Sequence, residues 1–229
     1  MNVPLLSPAR RRRFRPALAL LAAGLLAAPV LAAPADWAGE IAALTRDDAA
    51  HPPPAHGIVF VGSSSIRFWT TLATDFPGRP VIGRGFGGSE LADSVYYFDR
   101  LVQPYQPRTV VLYAGENDLA AGKSPEAVAA DFATFCAKLH AALPAAHLYY
   151  LAMKPSPLRW ALRDKFERGN SLIAAACARD PRRTFVDVYH AMLGPDGQPR
   201  PELYRDDRLH MKPAGYALWV RLLTPLLQP

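Results

Sequence analysis

The feature that most constrains this chain is an alternation of short, continuously apolar runs with longer stretches of helical periodicity. Five runs read as strands: Gly57–Val61, Pro80–Ile82, Thr109–Ala114, His147–Met153 and Thr184–Val188. They are rich in β-branched and aromatic residues and lack polar alternation, as strands covered on both faces require. Helical patterns lie between them near Ser65–Thr74, Leu91–Val102, Pro125–Leu143 and Leu158–Arg179, and a last one follows Pro213. Parallel strands need long crossovers, and these helices supply them. An amphipathic opening, Asp36–Ala50, and a Pro-rich connector, His51–Pro54, precede the first strand. The pattern predicts a doubly wound α/β fold, three layers thick, as a single domain over residues 36–229. Half of the 229 residues are apolar and 20% are charged, which suits a sizeable core and excludes a disordered chain.

The formal charge of +6 is local to one end. Arg10 to Arg13 and Arg15 supply five of the 26 basic residues and no acid precedes Asp36, so the remainder holds 21 basic against 20 acidic residues. Near neutrality without a basic cluster argues against a nucleic-acid partner. The Arg group is followed by an apolar stretch, Ala17–Ala33, and by small residues around Val30-Leu31-Ala32 and Ala33-Pro34-Ala35. That order is the layout of an export signal, so residues 1–35 read as a signal peptide and cleavage region, cut after Ala32 or Ala35. Crossing a bilayer takes about 20 apolar residues. This stretch is shorter and interrupted by Gly24 and Pro29, so no stable membrane insertion is expected after cleavage, and the mature protein is expected in the periplasm or medium. Arg11-Arg12-Arg13-Phe14 also fits a twin-arginine signal loosely, leaving the export route open.

In an open parallel sheet, ligands bind beyond the carboxyl ends of the strands. There the chain carries Gly62-Ser63-Ser64-Ser65, Gly83-Arg84-Gly85-Phe86-Gly87-Gly88, Gly115-Glu116-Asn117-Asp118 and Lys154-Pro155-Ser156-Pro157. Gly83-x-Gly85-x-x-Gly88 matches the dinucleotide fingerprint, which keeps a nucleotide-binding oxidoreductase as an alternative. It falls on the second strand, however, and would leave the serine turn without a role. Near the end, Asp207-x-x-His210 can bring a carboxylate and an imidazole together, and such an Asp can fix the tautomer that lets His accept a proton from a hydroxyl. With Ser64 at a strand end this is a candidate Ser-Asp-His triad. The nucleophile elbow of α/β-hydrolases is absent, because Ile66 stands where its second Gly would be.

The combination resembles the SGNH (GDSL-like) hydrolase superfamily from Ile58 to the end of the chain. Phe60-Val61-Gly62-Ser63-Ser64-Ser65-Ile66-Arg67 is similar to its first block, Gly83-Arg84-Gly85 to its second, Gly115-Glu116-Asn117-Asp118 to its third and Asp207-x-x-His210 to its fifth. The resemblance implies a flavodoxin-like α/β/α sandwich on a five-stranded parallel sheet, with Ser64, Asp207 and His210 catalytic. It implies an oxyanion hole of Ser64 N–H, Gly85 N–H and the Asn117 amide. Two positions depart from the family pattern: Ser63 replaces the usual Asp before the nucleophile, and Gly83 replaces the Asn that opens the second block. The implied reaction is hydrolysis of carboxylic esters, small-molecule or glycan, without a cofactor. O-acyltransferases and a catalytically silent carbohydrate-binding relative share the architecture and stay open.

Other residues carry weaker signals. Arg159 and Trp160 follow the fourth strand and are candidates for a leaving-group pocket. Asp118 reads as a turn or cap residue, Glu116 as exposed, and His190 as a packing or surface residue. Cys136 and Cys177 are candidates for one disulfide or for two small buried thiols that never meet. No Cys or His pair has metal-ligand spacing, so no metal is expected. Nothing in the sequence addresses oligomeric state.

Overall fold

The computed structural model describes Met1 and residues 37–227. The expected leader, 1–35, therefore lies outside the described residues apart from Met1. Five parallel strands form one sheet in the order β2-β1-β3-β4-β5: β1 Ile58–Gly62, β2 Val81–Gly85, β3 Thr109–Tyr113, β4 His147–Leu151 and β5 Arg183–Val186. β1 is buried along its whole length, while the edge strands β2 and β5 are half-buried over most of theirs. The chain leaves β1 toward one edge and, from β3 onward, works toward the other. The β1/β3 boundary is thus the switch point at which such sheets open a crevice.

The helices in chain order are α1 Ala38–Thr45, α2 Ser64–Arg67, α3 Leu72–Asp75, α4 Leu91–Tyr96, α5 Phe98–Leu101, α6 Glu116–Ala120, α7 Pro125–Ala142, α8 Arg163–Cys177, α9 Val188–Ala191 and α10 Pro213–Leu223. α7 starts at a Ser124 cap whose hydroxyl accepts the Ala127 N–H, with Pro125 at its first position. It buries Val128, Phe132, Phe135, Cys136 and Leu139, a three-and-four spacing that makes one apolar stripe. α4, α7 and α8 pack side by side in one layer. In the other, Trp69, between α2 and α3, meets Phe60 of β1 and Tyr216 and Trp219 of α10 at centroid distances of 5.6, 5.1 and 5.8 Å.

Several expected elements are broken or shifted. The helix expected over Ser65–Thr74 is interrupted between α2 and α3, where the Asp75 carboxylate accepts from Trp69 Nε1 at 2.6 Å and Thr71 Oγ1 at 2.7 Å. The segment expected to open a helix at Leu158 is a 3₁₀ turn, Pro157–Leu162, ahead of α8. β2 runs on through Gly85, three residues past its expected end. Cys136 and Cys177 are free thiols, so the disulfide does not form. Burial pushes them up to about 12 and about 11, which leaves both as inert core residues.

Candidate active site

Ser64 follows β1 at the head of α2. Gly62 makes that turn possible, because it sits at φ 137° and a Cβ there would lie 1.9 Å from the Tyr113 carbonyl oxygen. Ser63 N–H donates to the Tyr113 carbonyl at 2.9 Å, which ties the turn to the end of β3. Ser63 and Ser65 are buried at 4% and 2% exposure, whereas Ser64 is half-exposed, so the three serines are not equivalent.

Asp207 and His210 lie on a small hairpin. Tyr204 and Met211 form its bridge, Arg205 N–H donates to the His210 carbonyl at 2.7 Å, and Arg208 turns the tip at φ 58°. Asp207 Oδ1 accepts the N–H groups of Leu209 and His210, both at 2.9 Å, and Oδ2 lies 2.7 Å from His210 Nδ1. Burial acts to raise the Asp207 carboxyl, but these N–H donors and the imidazole outweigh it and hold it at about 2. An ionised carboxylate only accepts, so Nδ1 carries a hydrogen, and in the neutral imidazole Nε2 then offers its lone pair. Nε2 lies 3.1 Å from Ser64 Oγ, across 146 residues of sequence. Phe68 abuts the imidazole edge-on at 4.8 Å and is itself covered by the Arg205 guanidinium at 5.0 Å.

Asn117 sits in the first turn of α6, at the end of the strand next to β1. Its Nδ2 donates to the Ser89 carbonyl at 2.8 Å, and its Oδ1 accepts from Arg159 Nη2 at 2.9 Å. Arg159 thus contacts the Asn117 side chain. Trp160 lines a hollow of about 370 Å³ together with Tyr204, Arg205 and Arg208 of the hairpin.

Gly85 is not aimed at this site. The N–H of Phe86 donates to the Gly62 carbonyl at 3.0 Å, and alternate N–H groups of a strand point to opposite edges, so Gly85 N–H faces the outer edge of the sheet. Its role is steric instead. A Cβ there would lie 2.2 Å from the Arg67 nitrogen, so glycine lets α2 pack directly on β2. The loop beyond β2 offers a different donor. Gly87 N–H goes to Glu40 Oε1 at 3.1 Å, while Gly88, at φ 71° beside the Ser89 that holds Asn117, has no acceptor among the described residues. Gly83 and Gly85 both lie within β2, so the fingerprint-like spacing forms no phosphate loop.

Glu116 is buried at 4% exposure, against the expectation that it is exposed. Its Oε2 lies 2.8 Å from Lys154 Nζ and accepts from Tyr113 Oη, and Lys154, 1% exposed, also reaches Tyr113 Oη at 3.2 Å. Burial pushes the Lys154 ammonium down, partly offset by Glu116. Asp118 does more than cap a turn: fully buried, it accepts the Leu91 N–H and pairs with Lys123 at 3.1 Å. His190 is exposed, as anticipated. With Asp187 it repeats the pairing of the hairpin, Nδ1 to Oδ2 at 2.7 Å, on α9. Among the described residues, no three His, Cys, Asp or Glu side chains are grouped as for a metal ion.

A sheet of this order defines a flavodoxin-like α/β sandwich, and a hydroxyl, an imidazole and a carboxylate stand in line at its open end. The family model for GDSL-like lipases/acylhydrolases matches residues 60–218, and the chain belongs to that family. Platelet-activating factor acetylhydrolase IB subunit alpha1 from Pongo abelii is 27% identical over 183 residues, 74% of each chain. A GDSL-like lipase from Bacteroides thetaiotaomicron superposes with a TM-score of 0.67 at 24% identity, covering 82% of this chain and 98% of the other. An acetyl-xylooligosaccharide esterase from Geobacillus Stearmophilus, solved as a mutant, gives 0.61 at 13% identity, over 77% and 96%. These two likenesses are of fold.

Proposed function

We propose that the protein is an exported serine ester hydrolase that removes short acyl groups, with acylated glycans as its substrate class. The observation that carries this reading is the chain of contacts from Asp207 through His210 to Ser64. Ser64 Oγ attacks the ester carbonyl while His210 Nε2 takes its proton, and Asp207 stabilises the imidazolium. The tetrahedral oxygen is met by the Ser64 N–H, which heads α2 without an intrahelical acceptor, by the Asn117 amide, and by Gly88 N–H in place of Gly85. Collapse releases the alcohol, which takes the proton from His210. Water then attacks the acyl-enzyme by the same route and frees the acid. The Arg-led apolar leader supports export. The family's acylhydrolase description supports the ester bond, and the named acetyl esterases among its likenesses favour short acyl groups.

The test is turnover of chromogenic acetyl and butyryl esters by the mature protein, with and without a serine-directed organophosphate. Hydrolysis that the organophosphate and Ser64→Ala both abolish, while Ser63→Ala and Ser65→Ala retain a measurable rate, is the expected result. Near-wild-type turnover by a folded Ser64→Ala variant would overturn the assignment.

A further inference from the structure

We propose that Arg159 is a positioning residue: its guanidinium holds the Asn117 carboxamide in the orientation that presents N–H, rather than C=O, to the oxygen developing above Ser64. The proposal rests on the esterase reading and deepens it. A carboxamide has chemically opposite ends on a nearly symmetric frame, so an unrestrained Asn can turn either end toward the substrate. Here both ends are fixed. Arginine only donates, so the atom 2.9 Å from its Nη2 must be Oδ1. A backbone carbonyl only accepts, so the atom 2.8 Å from the Ser89 oxygen must be Nδ2. One Nδ2 hydrogen is occupied by Ser89 and the other is left for a third acceptor. The adjacent cation also draws electron density from the amide, which strengthens the remaining N–H as a donor.

Arg159 is placed to keep this orientation in step with the proton-transfer groups. It lies in the 3₁₀ turn Pro157–Leu162, and its neighbour Leu158 donates its N–H at 3.1 Å to the carbonyl of Arg208, at the tip of the hairpin that bears Asp207 and His210. One short segment therefore touches both the oxyanion donor and the base-bearing hairpin. This assignment differs from the leaving-group contact that sequence position suggests for Arg159, and the two make opposite predictions.

The experiment is a double-mutant cycle in kcat and KM on a short-chain ester, with folding of every variant checked by thermal melting. Asn117→Ala is expected to lower kcat by about a hundredfold, and Arg159→Met by roughly tenfold, each with KM changed less than about twofold. Because Arg159 acts through Asn117, the double variant should be no slower than Asn117→Ala alone. Arg159→Lys, which keeps the charge and one donor, should recover part of the loss. Losses that multiply in the double variant, or a loss by Arg159→Met that appears in KM and varies with the leaving alcohol, overturn the proposal in favour of substrate contact. Wild-type protein that turns over no ester at all overturns the esterase reading itself and the proposal with it.

Discussion

Lys154 and Glu116 are a buried ion pair whose removal has a calculable consequence. At 1% and 5% side-chain exposure, neither group can be rescued by water where it stands. Lys154→Met keeps the side chain's length and packing but withdraws the cation, leaving the carboxylate with the Tyr113 hydroxyl on Oε2 and no partner on Oε1. Stranding one member of such a pair costs about 3–5 kcal/mol. For a domain of this size, 1 kcal/mol moves the melting temperature by about 2–4 °C, so Lys154→Met should melt roughly 6–20 °C lower. Replacing both members removes the stranded charge. Lys154→Met/Glu116→Gln should therefore be more stable than Lys154→Met, though one residue fewer is native. Urea unfolding followed by far-UV circular dichroism reads both differences. A loss below about 1 kcal/mol in Lys154→Met, or a double variant whose loss equals the sum of the singles, would refute the argument that the pair is desolvated and mutually dependent.

Three further outcomes follow from the same geometry. Gly85→Ala inserts a methyl 2.2 Å from the Arg67 nitrogen and 2.7 Å from the Ile66 carbonyl carbon, so α2 must move with Ser64 on it; a lowered melting temperature and lowered kcat are expected, and wild-type values in both would show that α2 yields freely. Burial raises the Asp118 carboxyl to about 6, against the pull of Lys123 and the Leu91 N–H. The folded state thus holds this proton more tightly than the unfolded chain, and the contribution is full below about pH 4 and lost as pH rises through about 6. Asp118→Asn should flatten that slope in urea melts taken across the interval, and an unchanged slope would remove Asp118 as its source. In an ester series measured below each micelle concentration, acetyl and butyryl chains should exceed chains of about ten carbons in kcat/KM, since without an apolar acyl groove a long chain gains none of the about 0.8 kcal/mol that each buried methylene would add. A maximum at long chains would point to such a groove and to a lipase.

What the sequence makes legible here is what is local or periodic. β1 and β3 declare themselves because strands buried on both faces have no polar position to confuse the pattern. β2 reads as ending early because Gly83 and Gly85 look like a turn, yet each is a strand residue chosen for the close approach of a neighbour, Leu72 for the first and α2 for the second. Asp207 and His210 are legible because they stand only three positions apart, and Ser64 because it follows a strand. Glu116 is misread for the converse reason. Its partner Lys154 lies 38 residues away, and the pairing is made by the adjacency of β3 and β4, which no local pattern carries. The Arg159 contact with Asn117, 42 residues apart, is hidden in the same way.

The bond between Ser64 and His210 spans 146 residues, and the groups around it come from the ends of β1, β3 and β4 and from the hairpin before the last helix. Contacts so far apart in sequence form late, because loop closure must be met before they return any free energy. Ester turnover is therefore a reporter of the completed chain. During refolding, helical signal and tyrosine burial should recover while the solution is still inert, and the last rise in activity times the docking of the hairpin against α2.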